Sequence, residues 1–166
     1  MTPNEIGLLL EYHYWARDRA LAAAAVLTTE QFTRDLGSSF GSVRDTLAHV
    51  YGADSIWCAR WNGESPTSLP RADQFPDLAA LRKAWAELEG RMRRFVGTLD
   101  AAGLDKTCTY TALNGKTATF PFWQMLQHLV NHGSYHRGQV ATLLRQLGAA
   151  AGTSMDLIAF YRERAS

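Results

Sequence analysis

An apolar repeat with steps of three and four residues is the feature that most constrains the fold of this chain. It is clearest between positions 78 and 99, at Leu78, Leu81, Trp85, Leu88, Met92, Phe95 and Leu99. Because residues three and four apart share one face of an α-helix, this stripe predicts an amphipathic helix. It is the third of four long helices that the sequence predicts.

The first two long helices are predicted from the same periodicity and from their start signals. Residues 2–5 (Thr-Pro-Asn-Glu) combine an N-cap, a proline and an early acid, and apolar positions continue from there to Leu27. Residues 42–45 (Ser-Val-Arg-Asp) resemble a capping box with Asp in place of Glu. The second helix is expected to end near residues 62–63 (Asn-Gly), before a proline-containing loop.

The segment of residues 107–120 has a different character. Its β-prone residues flank Asn114-Gly115, the strongest short signal for a hairpin turn. A small β-hairpin insertion is therefore predicted between the third and fourth helices.

The fourth long helix is predicted to begin at Pro121 and to run to about Leu147. Gly148 follows at the position of a left-handed C-terminal cap. A start signal at residues 153–156 predicts a short C-terminal helix through about Arg162. The expected fold is all-α: an antiparallel four-helix bundle with a small β-hairpin insertion and a short C-terminal helix, in a single domain of residues 1–166.

Composition limits the classes of function. A chain of 166 residues can bury about 70% of its unfolded surface without a metal or disulfide. A formal charge of +1 argues against a nucleic-acid partner. Because no apolar run reaches membrane-spanning length and the N-terminus does not resemble a signal peptide, we expect a cytoplasmic protein with no membrane partner. Cys58 and Cys108 lack Cys-x-x-Cys spacing and are expected to be free thiols.

Three histidines, His128, His132 and His136, stand at two successive i,i+4 steps in the fourth helix. Two imidazoles four residues apart can reach one ion, but His128 and His136 are about 12 Å apart along the axis. One helix can thus supply two ligands, and the spacing permits either the 128/132 pair or the 132/136 pair. Because a His-x-x-x-His spacing without the zincin glutamate is weak evidence for a metal site, two packed core histidines with hydrogen-bond partners explain it equally well.

A metal site needs a further ligand from another helix. His132 and His136 fall on the apolar seam, where desolvation favours the neutral imidazole that binds metals. His49 on the second helix is the best candidate for the third ligand and His13 on the first helix is the next, although a packed core histidine also explains either one. Asp45 is interpreted as a capping residue or as a hydrogen-bond partner of the His49 ring.

Several segments together resemble the DinB family, the DinB/YfiT-like family of proposed metalloenzymes named for damage-inducible expression. They are residues 12–17 (Tyr-His-Tyr-Trp-Ala-Arg), residues 46–49, Trp57 with Trp61, residues 126–132, and residues 135–139 continuing through residues 144–148. The resemblance implies a four-helix bundle, often dimeric, with a divalent ion held by three histidines. The matching positions are His49, His132 and His136, and His128 then lies outside the ligand set.

The resemblance also implies a range of activities. Some similar proteins transfer or isomerise substrates with a low-molecular-weight thiol such as bacillithiol or mycothiol, and many have no established reaction. We therefore expect a divalent ion (zinc, nickel or iron, with copper also suited to imidazole), a small-molecule substrate, a thiol as a candidate co-substrate, and a homodimer. The expected function is a metal-dependent thiol S-transferase or hydrolase. The alternative is a non-catalytic, stress-inducible protein that binds metal or a small ligand.

Other polar residues near the predicted site receive no assigned role from the sequence. They are Tyr12, Tyr51, Tyr135, Arg137 and Gln139. Arg137 is interpreted equally as a helix anchor or as a group that holds an anionic substrate, and Gly138 as a point of close helix approach. The five tryptophans exceed what one small bundle is expected to bury, which also favours a dimer.

Overall fold

The computed structural model describes residues 1–165. These residues form seven α-helices and one two-stranded antiparallel sheet. The long helices are α1 (Pro3–Ala24), α3 (Val43–Trp61), α4 (Leu78–Val96) and α6 (Phe122–Gln146). The short elements are α2 (Thr29–Thr33), a 3-10 turn (Ala72–Gln74), α5 (Ala101–Asp105), β1 (Thr107–Thr111), β2 (Thr117–Pro121) and α7 (Leu157–Ala165).

The starts of α1 and α3 follow the predicted caps. The Thr2 hydroxyl accepts a hydrogen bond from the backbone N–H of Glu5, and the Glu5 carboxylate accepts one from the backbone N–H of Thr2. The Ser42 hydroxyl accepts from the backbone N–H of Asp45 at 3.0 Å. The Asp45 carboxylate, however, accepts from Arg44 Nε at 2.8 Å, so only half of a capping box is formed.

The core lies where the long helices meet. Helices α1 and α3 each pack against α6 and against α4. The apolar stripe of α3 is buried, including Leu47, Val50 and Trp57, and Leu81, Trp85, Leu88 and Met92 are buried on α4. The prediction of a mostly helical chain with a small hairpin is confirmed, whereas the finer description as an antiparallel four-helix bundle stays a prediction.

Three details differ from the sequence prediction. Helices α2 and α5 were not predicted, because five residues are too few to show helical periodicity. Pro121 is the last residue of β2 and the N-cap of α6, so α6 begins one residue later than predicted. The C-terminal helix begins at Leu157, beyond the predicted start signal.

The hairpin forms around the predicted turn. Strand β1 pairs with β2 from Thr107 opposite Pro121 to Thr111 opposite Thr117. Gly115 has a φ of 79°, a left-handed conformation that glycine adopts without steric cost. Strand β1 contacts α3 and β2 contacts α6, so the hairpin spans these two helices.

Two further expectations concern surfaces. Within residues 1–165, no helix is both long and apolar enough to traverse a bilayer. Trp57, Trp61 and Trp85 are buried inside the chain, and Trp15 and Trp123 are partly buried. The excess of tryptophan that favoured a dimer is therefore largely accommodated within one chain, and the dimer stays a prediction.

Candidate metal centre

Three histidines from two helices converge at one point. His49 lies on α3, and His132 and His136 lie on α6. One ring nitrogen from each lies within 4.8 Å of the others. Among residues 1–165, neither His13 nor His128 joins this group. Of the alternatives that the spacing left open, the structure brings together the 132/136 pair with His49.

The spacing of the rings suits a shared ion. His49 Nε2 lies 3.1 Å from His132 Nε2. The centroid of the His136 ring is 4.6 Å from that of His49 and 4.3 Å from that of His132. Two nitrogens at 2.0–2.1 Å from one tetrahedral ion are about 3.3 Å apart, so the 3.1 Å separation is close to that of two ligands.

The site favours neutral imidazoles. Burial, with a smaller contribution from repulsion by His136, lowers the pKa of His49 to about 4. Burial is also the main cause that lowers the pKa of His132 to about 3. Both rings are therefore neutral at physiological pH, the form that ligates metal ions. For His132, the sequence-based expectation of a neutral histidine on the apolar seam of α6 agrees with this lowered pKa.

Gln139 orients the ring of His136. The His136 Nδ1 atom lies 2.7 Å from Gln139 Oε1. Because an amide oxygen only accepts, Nδ1 carries the proton and Nε2 keeps its lone pair for an ion. The sequence indicates Gln139 only as an available polar group and does not predict this role.

Phe40 covers one side of the cluster. Its ring stacks on His49 with centroids 4.0 Å apart and an angle of 20°, and it meets His136 edge-on at 5.3 Å. Phe40 precedes Gly41, whose φ of 79° belongs to a tight turn before α3. Sequence reasoning missed Phe40, because a loop residue outside any periodic stripe carries no signal of its contacts. The Asp45 carboxylate accepts from Arg44 Nε and takes neither of its two predicted roles, whereas the Asp45 backbone N–H donates to the Ser42 cap.

His13 belongs to a separate, fully buried network. Its Nε2 lies 3.0 Å from Asp54 Oδ2, and the same oxygen accepts a hydrogen bond from Trp85 Nε1 at 2.8 Å. His13 and Asp54 are 0% and 1% exposed. His13 is thus a core histidine with hydrogen-bond partners. A sequence signal for this role existed, since an aspartate on the apolar stripe of α3 requires a buried partner.

Arg137 extends this network away from the histidine cluster. Its Nη2 donates to Ser134 Oγ at 2.9 Å, and its Nη1 lies 3.5 Å from His13 Nδ1. Burial lowers the pKa of Arg137. Arg137 is 3% exposed, which favours the anchoring interpretation over substrate binding.

The close approach to α6 occurs at Gly133 rather than at Gly138. A Cβ atom at position 133 would lie 2.7 Å from both His13 Cε1 and Arg137 Nη1. At Gly138 such an atom would meet nothing within 4 Å. The interpretation of Gly138 as a packing glycine is wrong.

The remaining candidate polar groups lie at different distances from the cluster. The Tyr12 hydroxyl donates to the Met155 carbonyl at 2.9 Å, and Tyr51 packs edge-on against Trp85. Tyr135 is 67% exposed, with its ring 5.0 Å from that of His136. Tyr135 is therefore the tyrosine of these three that borders the site.

Comparisons with known proteins agree with this architecture. A sequence profile of the DinB family matches residues 1–163. Protein DinB of Bacillus subtilis (strain 168) is 28% identical over 160 residues, which cover 92% of each chain. The crystal structure of a DinB-like protein from Bacillus cereus ATCC 10987 aligns with a TM-score of 0.62 over 88% of this chain and 95% of that one. At 18% identity that structural likeness shows the fold alone. The match of the family profile to almost the whole chain shows that this protein belongs to the DinB family.

Proposed function

We propose that His49, His132 and His136 bind a divalent metal ion and that the protein is a metal-dependent transferase or hydrolase acting on a small molecule. The observation that carries this proposal is the convergence of three ring nitrogens within 4.8 Å. The lowered pKa values of His49 and His132 keep these rings ready to bind without loss of a proton.

The donor set fits a catalytic ion better than a structural one. Structural zinc sites use four protein ligands, whereas catalytic sites keep one position open. In the described residues the cluster contains three histidines and no fourth histidine, cysteine or carboxylate. An ion held here would supply Lewis-acid chemistry to a water or thiol. Zinc, nickel, iron and copper all suit imidazole ligands.

The residues of this chain have defined tasks around such an ion. Gln139 keeps the proton on Nδ1 of His136, and Phe40 restrains the His49 ring by stacking. His49 and His132 are partly exposed, so a small molecule can approach the cluster from solvent.

A transferase reaction would require a thiol from solution. Cys58 and Cys108 are free, but burial raises the pKa of each thiol. A raised pKa lowers the fraction of reactive thiolate at neutral pH. A low-molecular-weight thiol is therefore the co-substrate that this proposal includes.

The proposal extends to the scaffold. The pairing of α1, α3, α4 and α6 supports a single-domain, antiparallel four-helix bundle, in which the ligands come from the adjacent helices α3 and α6. We also propose a homodimer, as the family resemblance implies.

Elemental analysis of the protein, purified without added metal, tests the proposal first. We expect about one equivalent of a divalent transition metal in the wild type and none in His49→Ala. The holo protein is then assayed with 1-chloro-2,4-dinitrobenzene plus bacillithiol, and with 4-nitrophenyl acetate without thiol. Metal-dependent turnover of either compound supports the proposal. Absence of bound metal overturns it, and bound metal without turnover across these and related small electrophiles favours the non-catalytic alternative.

A further inference from the structure

A second feature lies on α6 one turn before the metal ligands. A cleft of about 260 Å³ is lined by Trp57, Tyr110, Phe120, Gln124, Met125 and His128. Its walls come from α3, from both strands of the hairpin and from the first half of α6. The hairpin therefore forms the outer wall of a cavity beside the long helices.

Arg60 packs against the two aromatic rings, Trp57 and Tyr110, that line the cleft. The guanidinium carbon of Arg60 lies 4.8 Å from the Trp57 ring centroid and 4.4 Å from that of Tyr110. The two rings meet edge-on with centroids 5.1 Å apart. Arg60 is buried and also donates to the Thr111 carbonyl at 3.4 Å. Rings fixed in this way form a preorganised surface for another flat apolar group.

The lining also specifies the charge and size of a ligand. Of the described residues, those that line the cleft include no carboxylate, lysine or arginine. The side chains of Gln124 and His128 form no hydrogen bond with other described residues, so their polar atoms can serve a ligand. A volume of about 260 Å³ is below the roughly 300–1,000 Å³ of pockets for drug-sized molecules, which points to a single-ring compound.

The cleft adjoins the candidate metal centre through His128. The ring centroid of His128 lies 5.5 Å from that of Trp57, which lines the cleft, and 5.8 Å from that of His132. One histidine thus contacts both the cleft and a metal ligand. A molecule that contacts His128 in the cleft is therefore separated from His132 by one histidine ring.

We propose that this cleft binds the aromatic body of a small, uncharged substrate and directs its polar end, past His128, toward the three histidines. The inference deepens the proposed function by naming the substrate class, and it rests on that function for the reaction itself. Binding in the cleft does not require the ion and can be measured separately.

The test uses 4-fluorobenzyl alcohol as a probe, followed by fluorine NMR on the metal-free protein. We expect saturable binding to the wild type, weakened about two- to tenfold in Phe120→Ala because one aromatic contact is lost. Leu113→Ala is the matched control, since Leu113 lies between the strands of the same hairpin and is 48% exposed, close to the 44% of Phe120, but does not line the cleft. Gln124→Trp, which fills the cleft from the exposed face of α6, should abolish binding.

The position of the probe relative to the metal centre is measured with cobalt and zinc. We expect the fluorine nucleus to relax faster in the Co²⁺-loaded protein than in the Zn²⁺-loaded protein, and this difference to disappear in Gln124→Trp.

Three other outcomes would change the assignment. Equal probe affinity in all variants, or probe binding that depends on the metal alone, would overturn the cleft as the ligand site. A light-scattering mass that shows a dimer disrupted by Phe120→Ala, together with no probe binding, would instead assign the cleft to a second copy of the chain. If the wild type binds the probe but retains no metal, the cleft stands and the proposed metal chemistry fails.

Discussion

A cluster of three histidines and a single buried histidine lie in the interior of this protein, and they differ in burial and in the partners of their ring nitrogens. His49, His132 and His136 are buried to partly buried, with ring nitrogens that face one another. His13 is fully enclosed, and its Nε2 is paired with the Asp54 carboxylate. All four residues are candidates for metal binding from the sequence: His132 and His136 by their i,i+4 spacing, and His49 and His13 by a position on the interior face of a long helix.

The difference lies in the partners that each ring finds. The Asp54 carboxylate accepts hydrogen bonds from both His13 Nε2 and Trp85 Nε1. His13 Nδ1 faces Arg137 Nη1 at 3.5 Å, so both ring nitrogens of His13 lie against protein groups in the core. His49 and His132 face each other at 3.1 Å without a carboxylate between them. A cluster of ring nitrogens around a shared point is suited to a cation, whereas a histidine hydrogen-bonded to a buried carboxylate is suited to holding helices together.

The largest expected effect is the loss of metal from His49→Ala. This change removes the one proposed ligand that α3 contributes, and the two histidines left on α6 hold an ion poorly. Titration of zinc into the metal-free protein, with circular dichroism to verify folding, should show no stoichiometric binding to His49→Ala or to His136→Ala.

His128→Ala is the control for this comparison, because His128 shares α6 and the i,i+4 spacing but lies outside the cluster. We expect it to retain one equivalent of zinc, with an affinity loss no greater than the roughly 10- to 100-fold typical of outer partners. Loss of metal from His128→Ala together with retention by His136→Ala would show that the assigned ligand pair is wrong.

The second prediction concerns the stability of the buried network. Asp54→Ala leaves the His13 ring and the Trp85 indole N–H without their shared acceptor, and a buried donor left without a partner costs about 1–3 kcal/mol. Urea unfolding should show this loss, while the folded protein still binds one equivalent of zinc. Asp45→Ala, on the same helix but partly exposed, should cost less than about 1 kcal/mol. Equal losses of unfolding free energy in Asp54→Ala and Asp45→Ala would contradict a special structural role for the buried Asp54 carboxylate.

The third prediction tests the packing between α1 and α6. Gly133→Ala places a methyl group 2.7 Å from His13 Cε1 and from Arg137 Nη1. Overpacking of this kind costs about 1–3 kcal/mol, from which the better helix propensity of alanine subtracts up to about 1 kcal/mol. Gly138→Ala meets open space on the same helix and should stabilise the protein by about 0.5–1 kcal/mol. Thermal unfolding of both variants checks the opposite signs.

The smallest effect is expected from pH, because the cluster is partly exposed to solvent. The pKa of His49 is lowered to about 4 and that of His132 to about 3, whereas an unfolded histidine titrates near 6.5. The unfolded state therefore binds protons first, so the stability of the metal-free protein should decrease as the pH falls from about 6.5 toward 4. Urea unfolding at pH 7.5 and at pH 5 measures the decrease. The double variant His49→Ala/His132→Ala should show a smaller decrease, and an unchanged pH dependence would contradict the assigned cause.

Much of the local structure was predictable from the sequence. The Thr2 cap, the Asn114-Gly115 turn and the stripes of α3 and α4 all correspond to observed elements. The sequence did not predict short elements such as α2. Its capping box at Thr28 is complete, but five residues are too few to show a helical repeat of apolar positions. Pro121 was assigned to the helix because the same residue suits a strand end and a helix start.

The site was only partly predictable for a related reason. Spacing along one helix limited the candidate metal ligands on α6 to two overlapping histidine pairs and could not choose between them. The choice between His49 and His13 depends on which faces of α1, α3 and α6 meet, as does the pairing of His13 with Asp54. Phe40 and Gln139 acquire their roles only through contacts made in the folded chain.

The sequence by itself determined the four long helices, their apolar faces and the i,i+4 histidines, because those properties arise from a repeat of 3.6 residues within one segment. The tertiary structure alone decided that His49 joins His132 and His136 while His13 pairs with Asp54. These contacts join residues 41 to 87 positions apart along the chain, and their geometry depends on how each helix is rotated and placed against its neighbours. The repeat of apolar residues within one helix does not determine how that helix is rotated against its neighbours.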